Sequence, residues 1–254
     1  MQFSNGLLAQ GPVATCEIQG YCYDAQRRCA HLARSVWNDL KLAQKLDDRA
    51  DLLQAQFSHD FWLSEKGHHA LALDGNKKQV DGLTSNIGHL LWSGIMAPSE
   101  AESTVEHLLG EQLFSGWGVR TLGSKEVGYN PLGYHTGTVW PHDNSLIVAG
   151  LHRYGYRDEA IALAAAILAA APFFQHRLPE VFAGFPLGLT SAPVAFPTAS
   201  RPQAWAAGTP LLLLTTLLEL KPGFSEVNGD LGLMGKVGLR KERETPMVTT
   251  NPPR

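Results

Sequence analysis

The chain has 254 residues, of which 44% are hydrophobic, so it is long enough for one large domain with a sizeable core or for two small ones. Its formal net charge is −3 and its basic clusters are short, which argues against a nucleic-acid-binding protein. No run of about 18 apolar residues predicts a membrane span, and the N-terminus lacks the basic and apolar regions of a signal peptide, so we expect a cytoplasmic protein.

Apolar residues recur at steps of three and four along most of the chain, and this spacing predicts helices. Pro98, followed by acidic residues, is typical of a helix start, and Thr84 or Ser85 is a candidate N-cap. Seven helices are predicted, over residues 21–40, 42–61, 84–95, 98–114, 140–154, 157–172 and 202–220.

The segments between these helices are long and rich in glycine, proline and aromatic residues, as functional loops often are. One short strand is predicted in HALALD, residues 69–74, and residues 221–254 read as a disordered tail. Helical hairpins stacked in a ring would bury the apolar helices and collect the long loops at one end. We therefore predict an all-α protein with an α/α toroid over residues 1–220; an irregular helical bundle is the alternative.

The three cysteines, Cys16, Cys22 and Cys29, lie close together in the sequence and have no partners elsewhere. They support neither a disulfide framework nor a CxxC-type zinc site. No metal and no cofactor are predicted.

Six segments, in chain order, resemble the C-terminal half of bacterial amylo-α-1,6-glucosidases, which are glycogen-debranching-like enzymes. They are GYCYDAQRR, DGLTSNIGHLLWSGI, LFSGWGVRTL, YNPLGYHTGTVWPHDN, RLPEVFAGF and RPQAWAAG, and the resemblance covers roughly residues 12–220. It implies an (α/α)6 barrel of twelve helices, of which about seven are present here. It also implies inverting hydrolysis of α-1,6 or related linkages in a glycogen-like glucan, with an Asp as general acid and a Glu as general base.

The general acid of that family is an Asp in a Gly-Trp-Lys-Asp-Ser-Trp-Asp-like segment just before the part that matches MQFSNG. No such segment occurs in this sequence, so we expect Met1 to be an internal methionine and the barrel to be incomplete. Loss of a general acid lowers the rate by roughly 10²–10⁴-fold. Hydrolysis should therefore be weak unless Glu17 or Asp143 supplies the proton.

Glu180, in RLPEVFAG, is the predicted catalytic base. Inversion needs two carboxyl groups about 6.5–9.5 Å apart, one of which activates a water, and in the resembling family a late Glu in such a loop is the base. The alternative is a surface ion pair with Arg177.

Glu17 lies in an otherwise apolar stretch before the first helix, where an unpaired charge would be costly. We therefore predict that Glu17 accepts hydrogen bonds from sugar hydroxyls. The alternative is that Glu17 is a buried structural carboxylate.

The segment YHTGTVWPHDN offers both kinds of surface that a sugar needs. Tyr134, His135 and Trp140 are predicted as flat platforms for the ring, and His142, Asp143 and Asn144 as polar partners for its hydroxyls. A helix cap at Asp143 or Asn144 is the structural alternative. A metal site at His135, His142 and Asp143 matches no standard ligand spacing.

Three further residues are predicted to contact substrate: Trp117 and Arg120 in SGWGVRTL, and Gln203 in RPQAW. Trp117 has the alternative of an ordinary core residue, and Trp92 and Trp205 are expected in the core.

Two functions stay open at this stage: an α-glucosidic hydrolase, and a non-catalytic carbohydrate-binding or structural half-barrel. The expected partner is an α-glucan oligosaccharide or glycogen-like polymer. An incomplete ring would expose apolar helix faces, which favours either a homodimer or contact with a missing N-terminal half.

Overall fold

The computed structural model describes residues 1–220, 226–230 and 236–240. The helices there are α1 (Cys16–Ser35), α2 (Leu40–Phe61), α3 (Asn86–Ser93), α4 (Pro98–Leu109), α5 (Pro141–Arg153), α6 (Arg157–Ala170) and α7 (Ala204–Leu217). Each of the seven predicted helices is confirmed. The first was predicted to reach residue 40, but it ends at Ser35 because the chain reverses at Asn38, which has a left-handed φ of 53°. Asp39 then caps α2 by accepting from the Leu42 N–H at 2.8 Å.

The helices form two layers. α1, α3, α5 and α7 pack side by side in that order, and α2, α4 and α6 each pack against the helix that precedes them. This layering is that of an α/α toroid and confirms the predicted all-α class. The four helices packed side by side are called the inner helices below.

Small residues allow the inner helices α3 and α5 to approach closely. A Cβ added to Gly150 of α5 would lie only 2.6 Å from the backbone nitrogen of Trp92, and one added to Gly88 of α3 would lie 2.5 Å from Ile147. Around this contact the core contains fully buried aliphatic side chains, among them Leu90, Leu91, Ile147 and Leu151. Each such side chain contributes roughly 1.5–3 kcal/mol through removal from water.

Short antiparallel strands join the N-terminal segment to the helices. They are β1 (Ala14–Thr15), β2 (Trp62–Leu63), β3 (His68–His69), β4 (Ala72–Leu73) and β5 (Gln79–Val80), with β1–β4–β5 in one sheet and β2–β3 in another. The strand predicted at residues 69–74 is thus found as two shorter pieces. The chain leaves one sheet and enters the other between them, at residues 70–71.

The long loops are tied together at the start of α5. Val139 forms a β-bridge with Arg120 on one side and with Phe182 on the other, and Phe182 also bridges to Ala195. The Val139 and Phe182 backbones exchange hydrogen bonds of 2.9 and 3.0 Å. Two long loops that are distant in sequence, one before α5 and one before α7, therefore form one backbone ladder beside the start of α5.

Among the described helices, none combines the length and the apolarity that a bilayer span requires. Towards the C-terminus, β6 (Glu226–Asp230) pairs antiparallel with β7 (Lys236–Arg240). The remainder of the predicted disordered tail, within residues 221–254, lies outside the described residues. The domain boundaries at 1–220 and 221–254 stay a prediction.

Candidate active site

A cavity of about 640 Å³ lies where three inner helices begin. Glu17 is in the first turn of α1, Asn86 is the first residue of α3, and Asp143 is in the first turn of α5. The lining residues are Met1, Gln2, Leu8, Glu17, Leu71, Thr84, Ser85, Asn86, Thr121, Leu122, His135, Thr136, Trp140 and Asp143. The first N–H groups of a helix have no partner within the helix. This end of the helix layer therefore combines hydrogen-bond donors, two carboxylates and aromatic surface.

The sequence WPHD explains how Asp143 is placed. Pro141 occupies the first position of α5, where its missing N–H costs nothing, and Asp143 follows in the same turn. A carboxylate there is favoured by the positive end of the helix dipole. The alternative that Asp143 or Asn144 caps α5 is wrong, because Trp140 is the N-cap residue. Asn144 is fully buried and accepts from the Val119 N–H at 2.7 Å, so its predicted contact with sugar hydroxyls is wrong.

Asp143 is held by a histidine from the neighbouring helix. His89 Nε2 lies 2.6 Å from Asp143 Oδ1, and the Tyr21 hydroxyl lies 2.6 Å from His89 Nδ1. Burial disfavours the charged imidazole, but the hydrogen bond and the charge of Asp143 outweigh it, so the pKa of His89 is raised. Burial, reinforced by the nearby charges of Glu17 and Asp143, raises the pKa of Tyr21 to about 12.

Glu17 lies inside the first turn of α1, whereas the sequence predicted it just before the first helix. It lines the cavity and lies 3.5 Å from the Cys16 thiol. Burial, followed by the charge of Glu17, raises the pKa of Cys16 well above its usual value, so this thiol is protonated and donates to the carboxylate. Glu17 and Asp143 are the two carboxylates of the cavity wall.

An aromatic platform forms another part of the cavity wall. The rings of His135 and Trp140 stack with centroids 5.2 Å apart and an interplanar angle of 11°, and both residues line the cavity. Tyr134 packs edge-on against them, with ring centroids 4.6 Å from His135 and 4.8 Å from Trp140. The indole N–H of Trp140 donates to the Tyr134 carbonyl at 3.1 Å, which fixes the ring. Stacked rings of this kind suit the C–H faces of a sugar.

Glu180 is adjacent to this platform and is joined to it through Tyr134. The Tyr134 hydroxyl donates to Glu180 Oε1 at 2.7 Å, and the Ser200 N–H donates to Oε2 at 3.1 Å. The Tyr134 bond and then the Ser200 bond hold the pKa of Glu180 below its usual value. Within the described residues Glu180 forms no ion pair with Arg177, so that alternative is wrong. Glu180 is half-buried and does not itself line the cavity.

Two predicted substrate contacts are structural residues. Trp117 is only 6% exposed and packs in the hydrophobic core, so the core alternative is confirmed and a platform role is not. Arg120 is 3% exposed, and burial lowers its pKa. Its guanidinium donates to the carbonyls of Gly184, Glu111 and Gln112 at 2.7–3.2 Å. These bonds connect two long loops and leave Arg120 away from the cavity.

Of two other predicted contacts, one caps α7 and the other, in α5, packs against it. Gln203 is the N-cap residue, and its side chain accepts from the Ala206 N–H at 2.9 Å. His142 packs against Trp205 with ring centroids 4.5 Å apart, and burial lowers its pKa. Neither Gln203 nor His142 lines the cavity. Trp205 is 60% exposed, so its predicted core position is wrong.

Tyr21 and His89 are site residues that sequence reasoning did not select. The only signal in the sequence is a histidine inside an apolar helical run, IGHLLW, which usually indicates a packed core residue. Among the described residues, no three His, Cys, Asp or Glu side chains converge to hold a metal ion.

A second cavity of about 520 Å³ lies near the N-terminal segment and contains none of the predicted site residues. One of its two carboxylates, Asp81, already accepts from the Ser4 hydroxyl at 2.7 Å and from Lys66 at 2.5 Å. The larger cavity is therefore the candidate active site.

Comparison with known proteins agrees with the α/α fold. Residues 4–178 match the family model described as the mannosylglycerate hydrolase MGH1-like glycoside hydrolase domain. No curated protein sequence matches the chain.

Solved structures show the same fold at low sequence identity. The GH63 mannosylglycerate hydrolase from Thermus thermophilus in complex with glucose superposes with a TM-score of 0.64 and 20% identity, over 80% of this chain and 45% of that one. The neutral trehalase Nth1 from Saccharomyces cerevisiae superposes with a TM-score of 0.62 and 17% identity, over 81% of this chain and 38% of that one. The chain thus spans less than half the length of these two relatives.

Proposed function

This chain belongs to the family of the mannosylglycerate hydrolase MGH1-like glycoside hydrolase domain, and on that premise we propose that it hydrolyses a glycosidic bond of a neutral sugar by inversion. Glu180 is the general base. His135 and Trp140 form the platform for the sugar ring, while Glu17 and Asp143 accept hydrogen bonds from its hydroxyls.

Tyr134 is the observation that supports this assignment most directly. Its ring packs on the platform that lines the cavity, and its hydroxyl holds Glu180 at 2.7 Å. A general base must be ionised, and the lowered pKa keeps the Glu180 carboxylate charged at neutral pH. A water bound between Glu180 and the sugar would lose its proton to this carboxylate as it attacks the anomeric carbon.

The charges in the cavity select the kind of sugar. Glu17 and Asp143 lie in its wall, and no Lys or Arg is among its lining residues. A negatively charged group inside the cavity would be repelled by two carboxylates in a poorly solvated space. The ring bound there is therefore neutral, such as a glucosyl or mannosyl unit.

The linkage is the finer part of the proposal. The motifs that resemble amylo-α-1,6-glucosidases favour an α-glucosidic bond, α-1,6 or related, in a glycogen-like glucan. Trehalose and mannosylglycerate are the competing substrates, since structures of a trehalase and of a mannosylglycerate hydrolase share the fold. The resemblance assigns the protonated carboxyl that assists the leaving group to an aspartate of a preceding segment.

The test is a hydrolysis assay with an isomaltose-type α-1,6-glucan, trehalose and mannosylglycerate, with the product anomer followed by NMR. We expect β-anomer release from an α-linked substrate and at least about a 100-fold loss of kcat in Glu180→Gln. Glu102→Gln is the matched control, because Glu102 is an exposed residue of the outer helix α4. Release of the α-anomer first, or full activity of Glu180→Gln, would contradict the assignment.

A non-catalytic carbohydrate-binding domain is the second candidate. It is favoured by the position of Glu180, which does not line the cavity. It predicts sugar binding without turnover of any of the three substrates. Calorimetric titration with glucose and mannose beside the hydrolysis assay separates the two functions.

A further inference from the structure

Three inner helices each contribute one polar side chain to a hydrogen-bonded series that ends in the cavity wall. Tyr21 comes from α1, His89 from α3 and Asp143 from α5. Both links measure 2.6 Å. Of the three, only Asp143 lines the cavity.

The chemistry of the series determines where the imidazole proton lies. The Asp143 carboxylate can only accept, so His89 Nε2 carries the hydrogen of that bond. In the neutral ring, Nδ1 then has a free lone pair, which accepts the Tyr21 hydroxyl; in the charged ring, Nδ1–H donates to the Tyr21 oxygen. His89 therefore donates to Asp143 in either protonation state.

The series leaves one carboxylate oxygen of Asp143 free. The side chains of His89 and Asp143 are 12% and 13% exposed, so water reaches them poorly. Asp143 Oδ1 is satisfied by His89, whereas Oδ2 is buried and has no hydrogen-bond partner among the described residues. A buried unpaired carboxylate oxygen is costly. A donor supplied by a ligand in the cavity would remove this cost.

We propose that Tyr21 and His89 are positioning residues that fix Asp143 so that its second oxygen receives a hydroxyl of the bound sugar. This inference rests on the proposed function, because it requires a sugar in the cavity. The sugar hydroxyl that donates to this oxygen then determines the specificity of the site. A site built to bond a hydroxyl rejects an analogue that lacks it more strongly than an apolar pocket does, because the buried acceptor is then left unpaired.

Ring packing holds the series in place. Tyr21 packs edge-on against His89, with centroids 5.9 Å apart, and against Trp92, with centroids 5.6 Å apart. These contacts restrict the direction of the Tyr21 hydroxyl. His89 is thereby bonded at both ring nitrogens, so it cannot rotate without losing two hydrogen bonds.

The first experiment needs neither ligand nor activity. The imidazole of His89 is observed by nitrogen NMR of histidine-labelled protein, and its signal is assigned by its disappearance in His89→Gln. We expect a hydrogen on Nε2 at every pH at which the protein is folded, and a change at Nδ1 in Tyr21→Phe. A neutral ring protonated on Nδ1 alone would overturn the proposal.

The second experiment measures sugar affinity by calorimetry with glucose, mannose and trehalose. For the sugar that binds the wild type, we expect His89→Ala to weaken binding about 10-fold, the equivalent of one charge-assisted hydrogen bond. His89→Gln places an amide N–H near the position of Nε2, so it should recover affinity to within about 3-fold of the wild type. His107→Gln is the control, because His107 contacts the Lys66 carbonyl away from this cavity.

Kinetics distinguish positioning from a general loss of structure. In the hydrolysis assay, His89→Ala should raise KM about 10-fold while kcat changes by less than about 3-fold, since Asp143 binds the ring in ground state and transition state alike. The deoxy-analogue lacking the contacted hydroxyl should bind wild type and His89→Ala with similar affinity. Equal affinity of wild type, His89→Ala and Tyr21→Phe for every sugar that binds would overturn this inference alone. A wild-type protein that neither binds nor hydrolyses any of these sugars would instead overturn the proposed function, and the inference with it.

Discussion

The phenolic hydroxyl of Tyr134 donates to Glu180 Oε1 at 2.7 Å, across 46 residues of sequence. The bond raises the pKa of Tyr134 and lowers that of Glu180, as expected when a phenol donates to a charged carboxylate. The same tyrosine ring packs against His135 and Trp140. One side chain thus connects the proposed base to the proposed sugar platform.

Removing the Tyr134 hydroxyl should change the pH dependence of hydrolysis. In Tyr134→Phe the carboxylate of Glu180 loses the larger of the two bonds that lower its pKa, so the pKa rises. Because the base acts only when ionised, the acid limb of kcat/KM against pH should move to higher pH. At neutral pH we expect a loss of less than about 10-fold.

Tyr154→Phe is the matched control for this profile. The Tyr154 hydroxyl donates to the Met96 carbonyl at 2.7 Å and does not line the cavity. Its loss should lower the melting temperature and leave the pH profile unchanged. An acid limb that stays in place in Tyr134→Phe would show that Glu180 is not the ionising group.

The two tryptophans Trp140 and Trp117 should respond differently to alanine. Trp140→Ala removes half of the stacked platform, and we expect sugar affinity to fall about 10-fold. Trp117→Ala creates a void in the core and should lower the free energy of unfolding by about 3–5 kcal/mol with sugar affinity unchanged. Denaturant unfolding and calorimetric titration of both variants check this. Unchanged affinity in Trp140→Ala would disprove the platform.

The close contact between α3 and α5 predicts opposite effects at two helical glycines. A Cβ at Gly150 would lie 2.6 Å from the Trp92 backbone nitrogen, and backbone cannot move aside cheaply, so Gly150→Ala should destabilise by about 1–3 kcal/mol. Gly208 of α7 has nothing within 4 Å of a Cβ, so Gly208→Ala should stabilise by about 0.5–1 kcal/mol. Chemical denaturation measures both. Equal effects at the two positions would contradict the packing described.

The His89–Asp143 pair predicts a pH-dependent stability. The folded-state pKa of His89 is raised above 6.5, so the stabilisation by its charged form is fully present below that value and is lost as pH rises through the raised pKa. The other titratable groups that face this pair are Glu17, Tyr21 and His142. In His89→Gln the glutamine side chain has no group that titrates in this pH range. The stability difference between wild type and His89→Gln should be larger near about pH 6 than near about pH 9, and a difference that grows with pH would refute the charged pair.

The helices were predictable because their signal is local. Apolar residues at steps of three and four, Pro98 and Pro141 at helix starts, and glycine-rich breaks all lie within a few residues of the structure that they determine. The end of α1 was missed by five residues because the left-handed turn at Asn38 overrides an apolar pattern that continues to residue 40.

Site residues were predictable where residue type alone restricts the role. His135, Trp140, Glu17 and Asp143 were selected from the sequence, and all four line the cavity. Arg120 was selected by the same reasoning, yet its guanidinium donates hydrogen bonds to backbone carbonyls of two loops. The sequence does not distinguish an arginine that binds a ligand from one that binds backbone carbonyls. Only the fold shows which partner is near.

By itself, therefore, the sequence determined the helix count, the all-α class and the group of aromatic and acidic residues around YHTGTVWPHD, because periodicity and residue chemistry are properties of short segments. The tertiary structure alone decided that Tyr21, His89 and Asp143 meet, since they come from three helices and are separated by 68 and 54 residues. Their contact depends on the register between inner helices. That register is set by side-chain packing at positions such as Gly88 and Gly150, which no local pattern specifies.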